Sequence, residues 1–584
     1  MRFGIFYEHQ LPRPWLQASE AQLYREALEQ VELADRLGFD YVWEVEHHFL
    51  EEYSHSSAPE VFLAAASQRT TNIRLGHGIV NVMPQVNHPA RVAERVATLD
   101  IVSNGRVDFG TGESSSAAEL GGFLIEREHK RSMWHESLDA ITRMFAEEPF
   151  AGFDGQWVQM PPRNVIPKPA QRPHPPVWVA CSRRETIHLA ARNGIGALSF
   201  SFVEPEDAAK WVREYYGLID SEECVPAGFA VNPNVAVVLP MMLAGSEAEA
   251  IDRGIDGAHF FGYSLGHYYG LSEHVPGRTD VYQEFAENRD RAGFARHIVR
   301  PDQAPLGVRL LQEGLGSLRG AIGTPEQVSD LVRRYDEAGV DQVIFVLQAG
   351  RNRHEHICES LELFAERVLP QFLDGRDQRE AAKSERLRHA TEAALARREP
   401  AREVSSPYVI DEQAEVSAGR RRPHAPQSPR EIAALARARA RRSAREGAIK
   451  LLARAVDGAD DATLERRFGS RVAQRAMFSA MAAAFEPDAA GGFEGRLVYE
   501  LDRPATGAPP SRWTIEVLDG RAMARPGAAH GPALTIRFPL SDFIRVAAGT
   551  IDPAVPLLRD RASFEGDFSL AAKLPEMFGA PSPY

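Results

Sequence analysis

Two adjacent histidines, His47 and His48, follow Glu46 and precede Phe49, and imidazole is the side chain whose charge changes near neutral pH. Either ring could serve as a general acid or base, and both could equally be hydrogen-bonded structural histidines. No metal is expected, because neither an HExxH-type spacing nor a cysteine cluster accompanies them. The three cysteines, Cys181, Cys224 and Cys358, fit neither a metal set nor a disulfide framework. A second chemically suggestive run is Val177 to Thr186. There a buried strand reaches Ser182 and a helix follows from about Thr186, so hydroxyls and helix amides could hold an anion, or Ser182 could simply cap the helix. Cys181, at the strand end, reads as buried and unreactive. In Phe109-Gly110-Thr111-Gly112-Glu113-Ser114 the glycines would let the backbone approach a planar ring or a phosphate, or would serve a tight turn. Arg131 opens a helix and could supply a fixed cation for phosphate, or stay solvated.

The elements that would position these residues alternate strand and helix. Arg2 to Tyr7 reads as a strand. Ser19-Glu20-Ala21-Gln22 is a capping box, followed at helical spacing by Leu23, Ala27, Val31, Ala34 and Leu37. Gly38 ends that helix, and Tyr41 to Val45 is the strand that runs into Glu46. Ile73 to Val80 and Arg106 to Phe109 are further strands, with a helix between them that starts at His88-Pro89. Thr324-Pro325-Glu326-Gln327 is a second capping box, its helix stops at Gly339, and Gln342 to Leu347 is a strand. Arg353-His354-Glu355-His356 reads as a solvated helix start. Repeated strand-helix units over some 370 residues predict a parallel α/β fold, and in a barrel the strands' carboxyl ends carry the chemistry.

At 584 residues the chain is too long for one core. Its 44% hydrophobic and 25% charged content is that of an ordinary globular protein, and no run approaches the length of a membrane span. The N-terminus lacks signal-peptide features, and the cytoplasm is the expected location. The net charge of -14 argues against nucleic acid as a partner. Residues 376–450 invert that balance, with 18 Lys/Arg against 11 Asp/Glu. Low apolar content around Ser405-Ser406-Pro407 and Arg422 to Pro426 marks residues 373–445 as a charged, partly helical linker, read as solvated in preference to membrane-attracted. Beyond it, residues 446–584 return to globular patterning. Helices carry Leu464, Phe468, Val472 and Phe478, Trp513 to Val517 and Leu534 to Phe538 alternate as strands, and Phe568 to Phe578 has helical spacing.

Residues 1–372 resemble the bacterial luciferase-like, flavin-dependent monooxygenase family. The resemblance rests on Glu46-His47-His48-Phe49, Gly78-Ile79-Val80 leading to His88-Pro89, Leu99-Asp100 through Ser103 to Gly110, and Gly323 to Val328 with Ala338-Gly339-Val340-Asp341. It implies a (β/α)₈ TIM barrel that binds reduced FMN at its C-terminal face. It also implies that His47, with His48 beside it, acts in flavin–oxygen chemistry. The positions implied for cofactor binding are Val80 and Asn81 against the ring, Gly112, Arg131, Cys181, Ser182 and Thr186. Gly112 stands where light-emitting members carry a reactive cysteine, so monooxygenation is expected without luminescence, and Glu113 replaces a phosphate-binding arginine, so no phosphate contact is expected there. With no NAD(P)H fingerprint in the chain, a separate flavin reductase is the expected partner, and family members are commonly dimers.

Residues 446–584 resemble a small α+β sterol carrier protein domain, through Trp513 to Gly520, Pro532 to Ile536, Ala547-Ala548-Gly549 and Phe564 to Asp567. That implies a hydrophobic or lipid-like substrate presented by this domain, or a module that mediates assembly. Two other functions stay open. One is a deazaflavin-dependent oxidoreductase on the same barrel, and the other is a non-catalytic lipid-binding scaffold. Substrate contacts are expected between Phe260 and Arg319, with Tyr263, His267, Tyr268 and Tyr269 as candidates.

Overall fold

The computed structural model describes residues 1–200, 203–271, 274–289, 319–404, 408–410, 452–485 and 493–551, with 487, 490, 556, 561–567, 570, 574, 577 and 578. Two compact units divide at Pro423 and His424. In the first, eight parallel strands form a closed ring in sequence order. They are β1 (Arg2–Tyr7), β2 (Tyr41–Val45), β3 (Arg74–Asn81), β4 (Val107–Gly112), β5 (Val177–Cys181), β6 (Gly196–Ser199), β7 (Val235–Leu243) and β8 (Gln342–Val346). β6 pairs with β7, and β8 pairs with both β7 and β1, which closes the ring of eight, while the short strand Ala321–Gly323 adds onto the end of β7. This is the expected (β/α)₈ barrel.

Alternation along each strand splits the apolar residues between two cores. Val42 and Leu75 face outward to the helices, while Phe6, Trp43, Trp178, Leu198 and Ile344 fill the barrel interior. Trp43 and Trp178 meet edge to face at 5.3 Å, and each lies over a glycine, Gly76 and Gly196 respectively. A Cβ at either glycine would fall 2.3 Å from the indole. Truncating Trp43 to alanine would cost about 3–5 kcal/mol by the cavity it leaves.

The helix Ser19–Leu37 starts as expected but without the capping box. Ala18 is its N-cap, Ser19 Oγ accepts from the Leu16 amide, and the Gln22 side chain donates to Glu26. Other local hydrogen bonds have taken both members of the motif. The Thr324 capping box is present, and Gly38 and Gly339 adopt the left-handed conformation that stops their helices. Phe260 to Gly266 belongs to a helix (Glu247–Gly266) and not to a loop. A π-helical turn follows at His267–Leu271, then a helix at Val281–Asn288, and residues 290–318 lie outside the described residues.

The segment expected as linker begins with a helix, Arg376–Arg397, that is tied to the barrel. Lys383 pairs with Asp341 at 2.6 Å, Glu380 with Arg2 at 2.6 Å and Arg376 with Asp40 at 3.1 Å, while Arg397 donates to the Cys224 carbonyl. Only Leu387 and Ala394 are buried. The attachment is thus mostly ionic, and apolar periodicity carries little sign of it. Residues 411–451, including Arg422 to Pro426, lie outside the described residues, as do Ser405 to Pro407.

The second unit holds a five-stranded sheet, ordered Arg521–Pro526, Ala508–Leu518, Gly495–Arg503, Leu534–Pro539, Ser563–Gly566. One pairing, Gly495–Arg503 with Leu534–Pro539, is parallel and the rest are antiparallel. Helices Asp461–Phe468, Arg471–Ala483 and Leu540–Ala547 accompany it. Phe478 stacks against both Trp513 and Phe543, at 5.1 and 5.4 Å. Val472, expected on the apolar face, is 80% exposed. Most of the predicted helix Phe568 to Phe578 lies outside the described residues, although Leu570, Met577 and Phe578 join the buried core.

Candidate active site at the barrel mouth

β2 ends at Val45, and the following segment carries Glu46, His47 and His48 across the carboxyl end of the barrel. The chain then turns sharply, with Phe49 and Glu51 at positive φ, strain of the kind that clusters at active sites. The His47 amide donates to the Ser56 carbonyl, which fixes the backbone. Its ring is 15% exposed and lies between two buried carboxylates, with Nδ1 3.1 Å from Glu119 Oε1 and Nε2 3.7 Å from Glu8 Oε2.

Glu119 is saturated with donors. It accepts from the Ser114 and Ser116 hydroxyls at 2.6 and 2.7 Å and from the His48 amide at 3.0 Å, besides His47. It sits on the short helix Ala117–Gly122, whose N-cap Ser116 in turn accepts from the Glu119 amide. Burial alone would raise the Glu119 carboxyl, but the His47 charge and these hydrogen bonds outweigh it and hold the group at about 2. Glu119 is therefore an acceptor only, and His47 Nδ1 must be the donor. Burial likewise opposes a charge on His47, yet Glu119 and Glu8 raise it to about 9. Glu8 differs: burial dominates and lifts it to about 7, against the pull of His47 and of the Tyr53 hydroxyl that donates to Oε1.

His48 takes another partner. Its Nε2 lies 3.0 Å from Glu46 Oε1, and Glu46 also accepts from the Asn81 amide at 2.9 Å and the Asn87 side chain at 2.6 Å. Glu46 thus ties β2 to the end of β3, and the two histidines divide between two carboxylates. A register shift in β3 between Gly76 and Val80 sets where Val80 and Asn81 lie, both of them buried. That irregularity brings the His77 carbonyl so close to β4 that a Cβ at Gly110 would fall 1.8 Å from it.

The remaining expected cofactor positions separate into two groups. Gly112 ends β4, and a Cβ there would meet the Ile79 side chain at 2.8 Å. Arg131 is 41% exposed and pairs with Glu113 at 2.8 Å, and Lys130 shares the same carboxylate at 3.4 Å. The Arg131 guanidinium also lies 5.8 Å from the Trp134 ring centroid. Ser182, which follows β5 directly, is exposed. The N-cap of the following helix, Arg184–Arg192, is Arg183 and not Ser182, and the Thr186 hydroxyl turns back to the Arg183 backbone. Cys181 is fully buried, burial pushes its thiol up to about 12, and its side chain belongs to the core.

The π-helical turn His267–Leu271 packs on the Ala117–Gly122 helix, and Tyr269 feels the charges of Glu119 and Glu8. The Tyr268 ring lies 6.3 Å from that of Tyr53. His267 contacts His274, which reaches Glu51, and Tyr263 packs on Phe285 away from the histidine pair. Sequence reasoning named neither Glu8 nor Glu119. The first directly follows the end of β1, where strand ends face the site, and the second closes a Ser116-x-x-Glu119 pattern of the capping-box type.

Parts of the chain are similar to known proteins. A family model described as luciferase-like monooxygenase matches residues 1–342, and one described as the SCP-2 sterol transfer family matches residues 481–579. The oxygenase component of a flavin-dependent trigonelline monooxygenase from Acinetobacter baylyi is 25% identical over 400 residues, 68% of this chain and 100% of that protein. An uncharacterised protein, y4wF, from Sinorhizobium fredii is 31% identical over 229 residues, 39% of this chain. That match spans 64% of y4wF. The crystal structure of the monooxygenase RslO1 from Streptomyces bottropensis superposes with a TM-score of 0.50 at 27% identity, covering 64% of this chain and 100% of that one.

Proposed function

The chain belongs to the luciferase-like monooxygenase family of oxidoreductases and carries an SCP-2 domain, and from that premise we propose that it is the oxygenase of a two-component flavin monooxygenase. It would use reduced FMN from a separate reductase, with oxygen, on a hydrophobic organic substrate. The observation that carries the reading is His47 held between Glu119 and Glu8 at the carboxyl end of a parallel barrel. The oxygenase component named among the relatives supports the reductase, and the sterol transfer domain supports a hydrophobic ligand.

The residues at the mouth fit a flavin mononucleotide. Val80, Asn81 and the glycine end of β4 at Gly112 would border the ring. Arg131 and Ser182 would receive the phosphate, with the helix that follows Arg183 behind them, provided that Arg131 exchanges Glu113 for the new anion. When bound, reduced FMN supplies the electrons that oxygen activation needs. The protein supplies the proton and its direction. Glu119 keeps Nδ1–H of His47 engaged, so Nε2 is the nitrogen free to give a proton to a reacting oxygen atom. His47 is charged at neutral pH and so is ready as the donor. Phe49 and Phe123 pack against the His48 ring.

The test is His47→Ala with reduced FMN supplied by a flavin reductase. Substrate oxidation should fall strongly while FMN affinity stays near that of the parent. Unchanged turnover in that variant would remove His47 from the reaction.

A further inference from the structure

Glu8 is a buried carboxylate of which only one oxygen is hydrogen-bonded among the described residues. Its Oε1 is held by the Tyr53 hydroxyl at 2.9 Å and its backbone carbonyl by Ser54 Oγ at 2.8 Å. Its Oε2 has no hydrogen-bond partner among the described residues and is buried. Leaving a carboxylate oxygen buried and unsatisfied is costly, and one remedy is to keep a proton on it. That same oxygen is the one that faces His47 Nε2, at 3.7 Å. Nδ1 is already committed to Glu119, so Glu8 faces the one ring nitrogen left for chemistry.

We propose that Glu8 is the proton relay of the site, a positioning residue that reloads His47 Nε2 after each transfer. The inference rests on the reading of His47 as the proton donor. In the step, the Nε2–H bond breaks as a new O–H bond forms on the reacting oxygen, and the imidazole keeps the electron pair. The carboxyl O–H of Glu8 then gives its proton to Nε2 and leaves a carboxylate, which regains a proton from solvent. No electrons change hands in either transfer.

The groups that face Glu8 set when it is loaded. His47 and Tyr53 on the segment after β2 favour its charged form, whereas Glu44 on β2 and Glu119 on the short helix disfavour it, and Tyr269 on the π-helical turn lies within reach of its charge. Burial, with Glu44 and Glu119 near, raises the carboxyl from its ordinary 4.5 to about 7. Relay by the acid form is therefore available below about pH 7 and fades above it.

Two measurements test this. In the cofactor-free protein, the His47 ring resonance, assigned by its loss in His47→Gln, should titrate by NMR with two inflections, near 7 and near 9. Glu8→Gln should leave only the upper one. Tyr53→Phe removes a donor that favours the carboxylate, so it should move the lower inflection to higher pH. With protein in excess over reduced FMN, mixing with air-saturated buffer should give an oxidation rate that declines above pH about 7 in the parent. Glu8→Gln should lower the acid-side rate by about tenfold and flatten the profile. A single His47 inflection that Glu8→Gln leaves in place, or a parental pH profile in that variant, would overturn the relay. An active His47→Ala would instead overturn the reading on which it rests, and the cofactor-free titration would still report on the pair.

Discussion

Oε1 of Glu119 accepts from His47 Nδ1 at 3.1 Å and from the His48 amide at 3.0 Å, so one carboxylate oxygen fixes both the ring and the backbone of the histidine pair. Three elements meet in that contact: the segment after β2, the loop with Ser114 after β4, and the helix Ala117–Gly122. The orientation of His47 is thus a property of the fold and not of its local sequence.

Glu119→Gln should uncouple that arrangement. The amide keeps one acceptor oxygen and puts an NH2 group where the other stood, so either the Ser114 and Ser116 hydroxyls or His47 Nδ1 and the His48 amide lose their acceptor, and the His47 charge loses its nearest counterion. Oxidation of substrate should fall by about a hundredfold. The His47 titration should drop from about 9 toward its ordinary 6.5, with FMN affinity changed little, as read by NMR and by flavin fluorescence.

Stability should decline as pH rises across neutrality. His47 is raised from 6.5 to about 9, so its contribution is complete below 6.5 and is lost as pH climbs through 9. Glu8 is raised from 4.5 to about 7, so burying it becomes increasingly unfavourable between those values. Glu119, depressed to about 2, contributes above 4.5 and loses that contribution only as pH falls through 2. The His47 interaction is on the order of 3 kcal/mol. Urea unfolding of the barrel should show it as a falling midpoint between pH 6.5 and 9, a slope that His47→Gln loses.

Arg131 and Glu113 should have opposite effects on the cofactor. Their 2.8 Å ion pair must open for Arg131 to meet a phosphate. Arg131→Ala should weaken FMN binding by about tenfold, and Glu113→Gln should strengthen it. Both changes should be larger for FMN than for riboflavin, which has no phosphate, in equilibrium titrations. Equal losses for the two flavins would place the phosphate elsewhere.

Gly110→Ala should cripple the barrel itself. The added Cβ would lie 1.8 Å from a main-chain oxygen, His77 O, which cannot swing aside as a side chain can. A loss of about 3 kcal/mol or more is expected, seen as a lowered melting temperature or as insoluble protein. Gly112→Ala meets only the movable Ile79 side chain and should fold.

Much of this was legible in the residues. The helix-stopping Gly38 and Gly339, Pro89 at a helix start and the Thr324 capping box marked the strand-helix units, and Glu46 to Phe49 marked the histidine pair. Glu8 and Glu119 were not legible in that way, because they reach His47 from 39 and 72 positions away and only closure of the barrel brings them together. The Ser19 box failed because Ser19 Oγ accepts from the Leu16 amide and the Gln22 side chain donates to Glu26. The helix Arg376–Arg397 read as a solvated linker because its attachment is through charge pairs, to which apolar periodicity is blind. Arg131 was read as a phosphate ligand from its place at a helix start, while its partner Glu113 lies on another strand end.

The central claim is tested most directly by mixing the protein, loaded anaerobically with reduced FMN or with a reduced deazaflavin, with oxygen and following the absorbance spectrum in time. The account predicts a transient, distinct from both reduced and oxidised flavin, with FMN only, and its rapid collapse in His47→Ala. Tight binding of the deazaflavin, with no such transient from FMN, would contradict it.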